Sequence, residues 1–248
     1  MGAATRMDDS ITITDTLGLT LLDWTWSIAE ENRATIEKYF ATLRVAKPSL
    51  WNGRVLLLHA YSISGKTFRG SLFETDFASL LAWRDGVVSD PTVRNCFAMA
   101  AIRSADGAFL LGVMGDHTAN AGKIYFPAGV TDLQSVAGGR VDLESGMWRE
   151  VAEETGLTQD DLSAEPLWQT VMSAQRIAHI KILHSREKAD ALRELIRNNI
   201  SKQRDPELAD IYVVQTEADL CSQMPSYVVS FLRSTFYSDQ QFQARPLR

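Results

Sequence analysis

Residues 148–157 read WREVAEETGL, and three of the ten are glutamates crowded into one helical pattern. Glu150, Glu153 and Glu154 stand at i, i+3 and i+4, so their side chains share a helical face. Each close like-charge pair in an exposed helix costs roughly 0.2–0.5 kcal/mol, and Arg149 offsets part of that through Glu153 at i+4. Met147, Val151 and the small Ala152, with Trp148 beside them, form the opposite face, which packs the helix against a sheet and turns the carboxylates outward. Asp142 can cap the start by accepting a backbone N–H, and Gly156 can take the left-handed conformation that closes the end. A charged face of this kind is either plainly solvated or a site for a divalent hard cation, since Mg²⁺ favours carboxylate and water oxygens and bridges protein to phosphates.

The surrounding pattern decides what sheet such a helix meets. The segment "CFAMAAIRSADGAFLLGVM" reads as two apolar strands joined by a Ser-Ala-Asp-Gly turn, and "GKIYFPAG" as a strand ending in a Pro-Ala-Gly loop. The helix ending at Gly156 completes a strand–loop–helix unit. Beyond it come a strand near "PLWQTVM", a charged helix through "REKADALRELIRNNISKQ", a strand at "DIYVVQ" and a terminal helix through "PSYVVSFLRSTF". Upstream, residues 27–46 place Ile28, Ile36, Phe40 and Leu43 at helical intervals, residues 54–74 read as a hairpin, and "DFASLLAWRD" as a short helix. The first ten residues read as a loose tail. The organisation is mixed α/β or α+β, with an N-terminal α+β extension over residues 1–94 and a catalytic domain over residues 95–248.

Composition excludes several partners. The 248 residues are 45% hydrophobic and 23% charged with a formal charge of −6, which gives no basic footprint for a nucleic-acid polymer or an anionic membrane. Nor does any apolar run approach the ~18–20 residues of a membrane span. Cys96 and Cys221 form no metal-spaced pair, and a reducing cytoplasm is the compartment expected. His179 and His184 lack a ligand partner at metal spacing and read as structural. No serine stands in a G-x-S-x-G context, which argues against a covalent serine mechanism.

The run "REVAEETGL" resembles the Nudix hydrolase signature, G-x5-E-x7-R-E-U-x-E-E-x-G-U with U a bulky aliphatic residue. Arg149, Glu150, Val151, Glu153, Glu154, Gly156 and Leu157 all match its last nine positions. Upstream the chain departs from it: Val141 stands where the signature has its first glutamate and Ser135 where it has glycine. The loop "FPAGVTD" resembles the family's strand-end loop if Gly129 and Asp132 take the glycine and acid places and about six residues are inserted in "LQSVAGG". The resemblance spans roughly residues 95–220 and implies a Nudix-like α/β/α sandwich with a mixed sheet. It also implies Mg²⁺- or Mn²⁺-dependent hydrolysis of a small diphosphate-containing molecule, a nucleoside diphosphate linked to another moiety X.

By that resemblance Glu150, Glu153 and Glu154 are metal ligands, with Gly129 approaching through its carbonyl, and Arg149 orients the carboxylates. The catalytic set is Glu153, Glu154, Arg149 and Glu207. Glu207, just before a strand, is the first candidate for the base, with Glu187 behind it and an ordinary loop acid as the competing account. Asp142 or Glu144 are the available substitutes for the glutamate missing at Val141. Arg176 and Lys181 can reach a phosphate or be simply solvated, and His117 and Asn120 lie in a polar loop before the Pro-Ala-Gly strand. Extensions in the family shape substrate choice or homodimer contacts, and both roles stay open. Val141 and the longer loop motivate an alternative, a Nudix-fold ligand-binding or regulatory module. A diphosphate isomerase would need a reactive cysteine, whereas Cys96 reads as a core residue.

Overall fold

Strand β3 (Arg54–Ser64) contains Val55, Leu56, Leu57 and Leu58 in sequence, all fully buried. Successive strand residues point to opposite faces, so a run like this must be covered on both sides. Two cores do so. Val55 and Leu57 enter a small one with Trp26, Ile36, Phe40 and Trp83, while Leu56 and Leu58 enter the large one built mainly from the second half of the chain. The structure, a computed structural model, describes residues 9–243.

Strand β3 and β4 (Thr67–Asp76) form an antiparallel hairpin, as read from the sequence. Strand β2 (Thr16–Leu22) runs parallel to β4, and the short β9 (Arg140–Val141) and β8 (Val136–Ala137) complete a five-stranded sheet ordered β3-β4-β2-β9-β8. Helices α1 (Ser27–Glu31), α2 (Arg33–Ala46) and α3 (Phe77–Arg84) supply the small core on its outer face. The single helix expected over residues 27–46 is thus two, broken at Asn32, whose side-chain amide donates to the Ile28 carbonyl at 2.8 Å.

The second sheet has seven strands. Its path is β1 (Ser10–Thr14), β10 (Leu162–Met172), β11 (Arg176–Ser185), β5 (Asn95–Arg103), β6 (Phe109–Met114) and β12 (Leu208–Val214), with β7 (Ile124–Tyr125) paired to β6. β11 is parallel to β5 and the other pairings are antiparallel, so the sheet is mixed. Helices α4 (Leu143–Thr155) and α5 (Ala189–Ile200) lie on one face. On the other, α6 (Ser226–Gln243) sets Phe231 edge-on to Phe109 and Phe126 at 5.8 and 5.4 Å. This is the α/β/α sandwich, and the five-stranded sheet shares the face of α4 and α5, with Phe68 edge-on to His179 at 4.7 Å.

Two strands of the large sheet escape sequence reading. β11 alternates polar His179 and Lys181 with Ile180 and Ile182, yet it is buried on both faces, with His179 bonded to Thr170 and Lys181 to Glu144. β1 pairs along β10 from Ser10↔Met172 to Thr14↔Trp168, a stretch given no element in the sequence reading, and it takes in only the last residue of the tail expected over the first ten. Of that tail, residues 1–8 lie outside the described residues. Among the described residues no helix is long and apolar enough to cross a membrane.

The joint between α2 and α3 rests on Asp76. Its carboxylate accepts the Ser79 amide at 2.9 Å as the N-cap of α3 and the Arg33 guanidinium at 2.6 Å. Burial by itself would raise this carboxyl, but the Ser79 and Arg33 hydrogen bonds outweigh it and hold it below the ordinary carboxylate range. A depressed folded pKa gives stability that is present above the unfolded value and is lost as pH falls through the folded one. Asp76→Ala should therefore cost about 1–3 kcal/mol at neutral pH. In urea titrations the gap between wild type and variant should close on acidification below the ordinary carboxylate range.

Candidate active site

Helix α4 begins where Asp142 accepts the Glu144 and Ser145 amides at 3.0 and 3.1 Å and stops at Gly156, whose φ is 71°. Asn199 of α5 and Gln203 just beyond it tie its last turn down: Asn199 donates to the Thr155 carbonyl at 3.1 Å and Gln203 to that of Glu153 at 2.8 Å. Asn199 lies so near Gly156 that a side chain there would collide with it.

Leu143, Met147, Val151 and Glu154 fall along one stripe of this helix, and Glu150 lies at its edge. All but Glu150 are buried, Glu154 to 4% exposure, whereas the side chain of Glu150 keeps 17% and that of Glu153 keeps 64%. This corrects the reading that all three carboxylates turn outward, and Ala152, expected on the packing face, is exposed. The physical reason is the i, i+4 spacing of Glu150 and Glu154, which follows Met147 and Val151 around the helix toward the sheet, while Glu153 lies on the solvent side.

Arg149 sits at the centre of the acids, with Nη2 3.3 Å from Glu150 and 3.5 Å from Asp132, and Nε 4.0 Å from Glu153. Gly129 backs directly onto Glu150, and a Cβ there would overlap its carboxylate. Burial pushes Glu150 up to about 7, against the pull of Arg149 and with the charges of Glu153 and Glu207 adding to it. Glu154 is driven well above the ordinary range by burial and by Glu150 and Glu207. Neither of its buried oxygens has a hydrogen-bond partner. Among the described residues no group of three or more His, Cys, Asp or Glu side chains is gathered as a metal-holding cluster. Glu153 leans away along Arg149, so the three-carboxylate set read from the sequence is not closed.

The other residues singled out from the sequence divide by place. Glu207 precedes β12 beside the Met114 end of β6, and its charge is felt by both Glu150 and Glu154. Glu187 does not join them: its carbonyl accepts the Ala105 amide at 2.8 Å beyond the far end of β5, a strand roughly 27 Å long. Val141 is buried between Leu19 and Val136, and the inserted loop is the β8–β9 hairpin itself. Asp142 is used as the cap, and Glu144 pairs at 3.0 Å with Lys181, which is buried over the Trp168 ring rather than solvated. His179 is wholly buried, accepts or donates to Thr170 at 2.8 Å, and is pushed down to about 3 by burial, so it is neutral. Cys96 beside it is pushed up to about 12 by burial and offers no accessible thiolate. His184 pairs with Glu165 at 2.8 Å.

Neither a family model nor a curated protein matches this chain. Among the solved structures similar to it are the following two. One is a MutT protein from Methanosarcina mazei Go1, 20% identical with a TM-score of 0.40, covering 59% of this chain and 97% of that one. The other is a Nudix hydrolase from M. smegmatis, RenU, 12% identical with a TM-score of 0.37, covering 62% and 88%. Along the chain the mixed sheet, the Gly129 loop and the "REVAEETG" helix follow one another in the order that the sequence resemblance implies.

Beside this acidic centre opens a cleft of about 340 Å³. Gly129 forms its inner edge, Phe97, Tyr125 and Tyr227 its aromatic wall, and Arg176 and Asn120 join from the positions read in the sequence. His117 instead packs against Gly115. Phe77, Leu80 and Arg84 reach the cleft from α3, and Lys123 from the β7 approach. Those four, with Tyr125 and Tyr227, were not identified from the sequence. The alternation of "KIYFPAG" carried a signal only for Tyr125.

A buried, unpartnered carboxylate costs about 1–3 kcal/mol or more. Glu154→Gln in metal-free protein should therefore raise the melting temperature by a few °C, at ~2–4 °C per kcal/mol for a chain this size. Scanning calorimetry in EDTA measures it directly.

Proposed function

We propose that this chain hydrolyses a diphosphate linkage, in a nucleoside diphosphate joined to a second moiety X, with Mg²⁺ or Mn²⁺ as cofactor. The observation that carries the reading is the Glu150–Glu154 pair, Glu154 on the packing stripe of a core helix with neither carboxylate oxygen hydrogen-bonded and Glu150 at the edge of that stripe held by Arg149, beside a glycine loop and within the field of Glu207. Such acids are expensive to keep dry on their own. The donor set fits a hard cation, which takes carboxylate and carbonyl oxygens and keeps several waters. Glu150 and Glu154 would hold it, with Glu153 from the rim and the Gly129 carbonyl from the loop. When bound, the ion neutralises the diphosphate and eases deprotonation of a water.

The rest falls to the chain's own side chains. Arg149 keeps Glu150 and Glu153 oriented and balances part of their charge. Glu207 accepts the proton from the attacking water, whose oxygen forms a new bond to phosphorus. The bridging P–O bond breaks and its electron pair leaves with the departing phosphate, so the products are a nucleotide and a phosphorylated X, or the converse split.

One observation favours a second reading, a ligand-binding module with faded catalysis. Val141 is built into an apolar strand contact where the signature has a carboxylate, and both neighbouring acids are engaged elsewhere.

Purified protein with Mg²⁺ and nucleotide sugars, dinucleotides, coenzyme A and nucleoside triphosphates separates the two readings. Hydrolysis in ¹⁸O-water should place the label in one product phosphate, and Glu153→Gln and Glu154→Gln should each lower kcat by about 100-fold or more. Undiminished turnover in both variants would sink the proposed centre, and binding without turnover would favour the module.

A further inference from the structure

The cleft beside Gly129 carries cations that the acidic helix does not use. Arg84, Lys123 and Arg176 all line it, in a protein whose formal charge is −6. Among the described residues neither Lys123 nor Arg176 has a carboxylate within ion-pair distance. Asp85 pairs with Arg84, and the acidic centre of Glu150, Glu154 and Glu207 borders the cleft at Gly129 and Tyr125, which leaves Lys123 and Arg176 as the lining cations without an ion-pair partner among the described residues.

Arg84 is aimed by Asp85. Its Nε and Nη2 grip Asp85 at 2.8 and 3.1 Å, and Tyr39 holds the same carboxylate from behind at 2.7 Å. Nη1 is left on the cleft side, 3.3 Å from the Asn120 side-chain oxygen, and the Asn120 amide in turn donates to the Tyr125 hydroxyl at 3.0 Å. Burial raises Tyr125 above its ordinary value, and the charges of Glu154 and Glu207 add to it, which places this ring at the seam between cleft and acidic centre. Arg176 is felt by both Asp85 and Tyr227, so it stands on the same side of the cleft as Arg84 and the aromatic wall. A ligand with its diphosphate at Gly129 and Glu150 has one end in a cavity of about 340 Å³ walled by rings and rimmed by guanidinium and ammonium groups. Neutral ends gain little from those cations, whereas an anionic group makes charge-assisted hydrogen bonds with them.

We propose that the cleft selects diphosphates whose second moiety carries a further negative charge, a phosphate or a carboxylate, seated among Arg84, Lys123 and Arg176. Arg84 is the specificity-determining residue, supplied by the N-terminal layer through α3. This inference rests on α4 being a diphosphate-cleaving centre, and its test is arranged to separate the two.

Matched pairs that differ by one anionic group provide the probes: UDP-glucuronate against UDP-glucose for a carboxylate, NADPH against NADH for a phosphate. Each is assayed for hydrolysis by the wild type with Mg²⁺ and, independently, for binding to the Glu154→Gln protein by calorimetry. The charged member of at least one pair should be favoured by about tenfold or more, through KM or Kd rather than kcat. Arg84→Gln and Arg176→Gln should each collapse that ratio toward one, and Arg84→Lys should restore part of it, which a merely structural role would not do. Lys123→Gln, at an exposed position, serves as the variant least liable to misfold and should also reduce the ratio. Ratios within about twofold for both pairs, or a preference that survives Arg84→Gln and Arg176→Gln together, would overturn the proposal. So would failure of all four compounds to bind. Preference in binding without any turnover keeps the anion subsite and removes the hydrolase reading, and turnover without preference does the reverse.

Discussion

The arrangement of the molecule depends on where the acidic side chains of α4 sit relative to its core stripe. Glu154 follows Met147 and Val151 into the interior, and Glu150 is drawn against Gly129. Helix and sheet are pressed together through the apolar stripe of Leu143, Met147 and Val151, with two acidic side chains carried in alongside it. Arg149 reaches Glu150, Glu153 and Asp132, but Glu154 receives no such help. A protein gains nothing in stability from such a group; buried charge of this kind is kept where it is needed for binding or chemistry.

How far this was legible in the sequence depends on the residue. Asp142 and Gly156 have local jobs, a cap and a left-handed stop, and local jobs are written in local sequence. The arrangement of Glu150 and Glu154 was only half legible. Their i, i+4 spacing was visible, yet which flank of the helix met the sheet was decided by Leu143, one turn before the segment that drew attention. β11 does alternate, His179 and Lys181 against Ile180 and Ile182, but its polar positions are buried as well, and that two-sided cover is not written in the local pattern. The hairpin at residues 136–141 was counted as inserted loop, since strands of two residues carry no period and are made by their partner, here Leu19 and Thr20 of β2.

The residues that line the cleft were the least legible. Arg84 ends a short apolar helix and has no neighbour in sequence to suggest a ligand. Its role comes from Asp85, Tyr39 and Asn120, gathered from three parts of the chain. In the proposed reading substrate choice falls to the layer laid over the large sheet, and the acidic helix alone names a class of bond and not the group attached to it.

The exchange of strands between the two sheets has a thermodynamic corollary. β1 adds an edge to the large sheet, while residues 136–141 of the later chain close the small one, and β3 feeds alternate side chains to both cores. Neither half owns a complete set of hydrogen-bonded neighbours. The halves are therefore expected to melt together, and the segment ahead of residue 95 is as much a structural member of the later half as a cover for it.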